Sequence, residues 1–168
     1  MPRVRNLITL ILTMLSTAAI GQQELASRGA WDIAAEGEDF ALRTPARDAA
    51  DTTLALLCRK EHRAFAFEIK SAALAARPPH EEIRVGFKVD DDDQTWFSLS
   101  TGPGGTVPIS HPTAFWIVHA ALLRGGAKEV AFTAGDHAWR FSLEGFAGLI
   151  ENLTTRCGFE PARGSRGR

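Results

Sequence analysis

The stretch "TLALLCRKEHRAFAFEIK", Thr53 to Lys70, decides the fold class. In its first half Leu54, Leu56 and Cys58 fall on one side of an extended chain. In its second half Phe65, Phe67 and Ile69 alternate with Ala66, Glu68 and Lys70. Period-two alternation is the mark of a half-buried antiparallel strand. The charged link "RKEHR" between the halves is short enough for a hairpin. The same alternation returns in "IRVGFKVD", where Ile83, Val85, Phe87 and Val89 share a face, and again in "TWFSLS".

Outward from this centre, the pattern continues in short strands. Gln22 to Ala30 reads as a polar leading segment. A strand near Trp31, a turn at Glu36-Gly37 and a strand around Phe40 to Arg43 follow, with "RDAAD" as a connector. "SAALAARPPHEE" is a link, because Pro78-Pro79 forbids ladder pairing. "STGPGG", Ser100 to Gly105, is a turn. It lacks the Gly-Lys-Ser/Thr ending of a phosphate loop. "KEVAFTA" and "HAWRFSL" form a hairpin about Gly135-Asp136, which suits a primed turn.

Two stretches carry helical period. "SHPTAFWIVHAALLRGG" has Ser110 as a cap, Pro112 in its first turn and Gly125-Gly126 at its end. In "EGFAGLIENLTTRCG", Phe146, Leu149, Ile150 and Leu153 stand at i, i+3, i+4 and i+7, one apolar stripe. Cys157 extends that stripe by four. The fold class is therefore α+β: a mainly antiparallel sheet or sandwich, with a short mid-chain helix and a C-terminal helix.

The N-terminus reads differently. Arg3 and Arg5 precede an apolar run from Leu7 to Leu15, then small residues up to Gly21. That is the layout of a secretory signal peptide over residues 1–21, followed by a single secreted domain over 22–160 and a basic tail over 161–168. The run is shorter than the roughly 20 residues of a spanning helix. Export places the domain in the periplasm or outside the cell, without a membrane span once the signal is removed. In that oxidising setting the two cysteines, Cys58 and Cys157, pair by default. If the strand face holding Cys58 is the core, the bond pins the last helix to the sheet. Its loop of about 100 residues gives about 4 to 5 kcal/mol in the chain-entropy model.

The formal net charge of the 168-residue chain is −1, and loss of Arg3 and Arg5 makes the remainder more acidic. This speaks against a nucleic-acid binder, which needs a concentrated basic surface. Chemistry-bearing patterns are few. Asp90 to Asp93 could hold a divalent cation, but counting from Asp90 puts Gln94, Thr95 and Thr101 at positions 5, 6 and 12, against the EF-hand template. The solvated tip of a hairpin fits the run better, since aspartate favours turns. His62, His80, His111, His119 and His137 contain no His-x-His and no H-E-x-x-H, so no metal ligand is assigned. Ser110-His111 lacks a G-x-S-x-G elbow. No catalytic residue and no cofactor site emerges. Trp31, Trp96, Trp116 and Trp139 sit in apolar runs, which favours packing in the core. Trp96, with Arg84 and Lys88 on the polar face of its neighbour strand, forms a candidate partner contact.

The order of elements resembles small exported bacterial proteins of the type VI secretion-associated VasI kind and, more loosely, the invasion-associated locus B group. The resemblance rests on the "L-x-L-x-C" strand ending at Cys58, on Val89-Asp90 before Trp96, and on Phe141, Leu143, Gly145 and the closing helix to Cys157. It covers about Leu54 to Phe159. It implies a periplasmic protein without known enzyme chemistry. The acidic "DDDD" run and the basic tail depart from that pattern. The expected function is a non-enzymatic domain that binds another envelope protein. The alternatives are a small-ligand or cation binder through Asp90–Asp93, and a hydrolase with an unrecognised site.

Overall fold

The computed structural model describes residues 24–61 and 64–158. The leader expected over 1–21, the tail over 161–168 and His62 lie outside the described residues.

The deciding stretch forms two antiparallel strands, β4 (Thr52–Arg59) and β5 (Ala64–Ser71), paired Leu54 to Ile69, Leu56 to Phe67 and Cys58 to Phe65. This register stacks apolar on apolar across the pair, which fixes which face is buried. The strands β1 (Glu24–Arg28), β2 (Trp31–Glu36) and β3 (Asp39–Pro45) extend the sheet on one side, and β8 (Thr106–Ile109) closes the other. The resulting order is β1-β2-β3-β4-β5-β8. A second sheet, in the order β10-β9-β6-β7, holds β6 (Glu82–Val89), β7 (Thr95–Ser100), β9 (Glu129–Ala134) and β10 (His137–Ser142). Every strand pair is antiparallel.

The inner faces of the two sheets share one core. Leu54, Leu56, Phe67, Ile69, Val107 and Ile109 from the larger sheet join Val85, Phe87, Val130, Phe132 and Phe141 from the smaller. Phe87, Phe132 and Phe141 meet in series, the first pair tilted at 5.3 Å and the second edge-on at 6.1 Å between centroids. Burial of such side chains is worth about 1.5–3 kcal/mol each, which makes this layer the main source of stability.

Helix α1 (Pro112–Leu122) packs against β6, and its Phe115 lies 5.3 Å from Phe67 in the middle of β5. Its N-cap is His111, which makes no side-chain cap bond. Ser110 therefore does not cap the helix: Pro112 fixes the first turn one residue further on. Helix α2 (Phe146–Arg156) lies on β1, β2 and β3 and buries Phe146, Leu149 and Leu153. Phe146 meets Trp31 at 4.8 Å. The turn into α2 needs Gly145, at φ +93°, because a Cβ there would lie 1.7 Å from the carbonyl oxygen of Arg28. The Ala30 amide and the Trp31 indole donate to the carbonyls of Glu144 and Ser142 at 3.1 and 2.7 Å, tying that turn to the first hairpin.

Cys58 and Cys157 form a disulfide with Cα atoms 6.2 Å apart. Both are buried, so the bond joins the end of α2 to the centre of the larger sheet from inside the core.

Candidate docking surface

Among the described residues, the large apolar side chains left exposed are Trp96, Trp116, Ile117 and Leu123, at 44, 63, 39 and 38 per cent. One lies on β7 and the others on α1 or at its end. Core packing therefore holds for Trp31 and Trp139 but not for Trp96 and Trp116. The helix explains why. Its residues are apolar nearly all round, as in a helix covered on every side. One face, Ala114, Val118 and Leu122, is buried. Trp116, Ile117, Ala120 and Leu123 follow at helical spacing on the other side and are exposed.

Between β7 and the start of α1 runs an open groove of about 320 Å³. Trp96, Phe97, Ser98 and Leu99 line one side, and His111, Thr113 and Ala114 the other. Among the described residues no carboxylate lines it.

Around Trp96 the β6–β7 register sets the surface. Trp96 pairs with Gly86, and Gly86 pairs with Thr133 on β9. The Gln94 side chain crosses over Gly86 to donate to the Thr133 hydroxyl at 2.8 Å. A Cβ on Gly86 would meet the Gln94 amide at 2.2 Å, so the missing side chain makes that crossing possible. The Arg84 guanidinium lies 4.3 Å from the Trp96 ring centroid. Such a cation–π contact holds both groups in place while leaving the cation in water. Ser98 donates to Glu82. Among the described residues neither Arg84 nor Lys88 forms an ion pair. Arg84 and Trp96 are thus brought into contact, with Lys88 on the same face of β6.

The aspartate run is divided in its roles. Asp90 adopts φ +48°, and its exposed side chain caps a neighbouring stretch of backbone. Its carboxylate accepts from the Lys128 and Glu129 amides at 3.1 and 2.9 Å, fixing the start of β9. Asp92 pairs with Arg124 at 2.6 Å. Asp91 and Asp93 are exposed. Among the described residues no three His, Cys, Asp or Glu side chains are grouped to hold a metal ion. His119 is half-buried and stacks on Phe115 at 5.6 Å. Burial pushes its pKa below the usual value.

A second concavity, about 420 Å³, lies on the outer face of the larger sheet. Glu36, Arg43, Ala55, Glu68 and Lys70 are among its walls. Burial of Glu68, then the nearby Glu36 carboxylate, raises its pKa. Arg43 is held by Asp32 at 2.9 Å.

The chain matches no family model, curated protein or solved structure, so these comparisons identify neither the VasI kind nor the invasion-associated locus B group. Among the described residues no helix is long and apolar enough to cross a membrane.

Proposed function

We propose that this chain is an exported, non-enzymatic domain that binds another protein of the cell envelope through the surface formed by α1 and β7. The observation that carries this reading is the position of the exposed apolar groups. Trp96 lines the groove from β7, Trp116 and Ile117 stand on α1, whose first turn forms the other wall, and Leu123 follows just past the end of α1. Aromatic residues in such settings dominate binding energy, with charged neighbours setting orientation. Arg84 and Lys88 supply that charge. The leader-like N-terminus and the resemblance to VasI-type exported proteins support an envelope location. The committed oxygens of Asp90 and Asp92 speak against a cation role for the acidic run.

Crosslinking of a tagged chain in its own host, with mass spectrometry of the captured species, tests the reading. One dominant envelope partner is expected. Its capture falls about thirty-fold when Trp116 or Trp96 becomes alanine, the scale of losing about 2 kcal/mol at a central aromatic. Capture that is unchanged by Trp96→Ala, Trp116→Ala and Arg84→Ala together, at equal protein level, refutes it.

A further inference from the structure

The two sheets have four edge strands, and the described residues protect three of them. Each exposed edge offers unpaired N–H and C=O groups to another chain, so edges are normally blocked by charge, proline or a covering loop. On β10 the cover is a loop: the Arg47 amide donates to the Arg140 carbonyl at 2.8 Å, and Asp48 accepts from the Arg140 amide at 3.2 Å. β8 is short and interrupted by Pro108. β1 is short and ends on the charged Arg28. β7, "TWFSLS", has no charge and no proline, and only Leu99 within it is buried. Among the described residues its backbone bonds only to β6. It is also the edge that borders the groove.

We propose that β7 is a strand-addition site that takes an extended, acidic, β-prone segment of a partner protein, laid between β7 and α1. This rests on the docking reading above and specifies its mode. An added strand would continue the sheet about 4.8 Å beyond β7 and so occupy the groove. Its alternate side chains divide between two environments. Those on the inner side meet Phe97, Leu99 and Ala114. Those on the outer side meet Trp96, with the Arg84 guanidinium 4.3 Å from its ring centroid, while Lys88 stands further along the same face of β6 and the Glu82 carboxylate is taken by the Ser98 hydroxyl. Charge selects the occupant. A second copy of this chain would bring the same uncharged strand and the same two cations, whereas a segment with acidic outer positions satisfies them.

The probes are two acetylated octapeptides. In one, valine alternates with two glutamates and two threonines; in the other, lysines replace the glutamates. The readout is residue-resolved amide exchange by NMR on the secreted chain. With the glutamate peptide, alternate amides of Thr95 to Ser100 become protected, and binding is about tenfold tighter than for the lysine peptide, the sum of two partly exposed ion pairs. The double variant Arg84→Glu, Lys88→Glu reverses the preference. Unprotected β7 amides at saturating peptide, or no preference for glutamate, overturn the proposal. So does protection of β7 that grows with protein concentration alone, which would assign the edge to a second copy. If captured partners still depend on Trp116 while β7 amides stay unprotected, strand addition fails and the docking reading stands. If that capture is absent as well, both fail.

Discussion

Reducing the disulfide gives the sharpest test of how this fold is held. Cys58 and Cys157 are 99 residues apart in sequence, so the bond closes a loop that spans most of the domain. Chain entropy assigns a loop of that size about 4.7 kcal/mol. Unfolding entropy near 2.1 cal/mol/K per residue, over about 140 residues, is about 0.29 kcal/mol/K. The quotient is a fall in Tm of about 16 °C on reduction. Both sulfurs remain in the buried layer after reduction, so packing changes little and the effect resides in the unfolded chain. That gives a second signature. The reduced chain unfolds to a more open ensemble, so its urea m-value rises while the native circular dichroism is unchanged. The assay is thermal and urea unfolding with and without a phosphine reductant, on the same protein. A fall of less than about 4 °C with an unchanged m-value would refute the loop-entropy reasoning.

Two further outcomes follow from single carboxylates. Asp90→Ala loses the acceptor for two backbone amides and leaves alanine at positive φ, so it should cost about 2 kcal/mol by urea unfolding. Asp91→Ala and Asp93→Ala should each stay within about 0.5 kcal/mol, as for ordinary surface changes. Glu68 has its folded pKa raised by burial and by Glu36. The folded state therefore holds that proton more tightly than the unfolded state. Stability from this group is present at acid pH and is lost as pH climbs through the ordinary glutamate range toward the raised value. Glu68→Gln should flatten that decline in urea midpoints as pH rises above the ordinary glutamate range.

Much of this architecture is legible in the alternation of Leu54 to Val89 and in the stripe from Phe146 to Leu153, because one buried face imposes one period. The disulfide is legible for the same reason: both cysteines extend apolar faces. The division into two sheets is not, since alternation says which face is buried and nothing about which strand lies beside it. Glu24–Arg28 falls within a stretch that reads as polar, and Thr106–Ile109 follows the turn "STGPGG" without a strand pattern of its own, yet each pairs as an edge strand. Short edge strands carry too few buried positions to show a period. The docking surface was visible only in fragments. Arg84 and Trp96 meet through the β6–β7 register, which pairing sets and local sequence does not. The exposed face of α1 was hidden by its own composition, because a helix apolar all round reads as core. The clue was the near absence of charge on the side opposite Ala114, Val118 and Leu122.

The placement of the cysteines also bears on the order of events as the protein matures. With two thiols in the chain there is one intramolecular pairing, so shuffling among wrong partners inside a molecule does not arise. The remaining wrong partner is a thiol of another molecule. In the finished fold Cys58 is buried on β4, and Cys157 meets it because α2 packs on β1–β3. A foreign thiol can therefore compete for either cysteine only in a molecule whose last helix is not yet seated, because the finished fold buries both sulfurs.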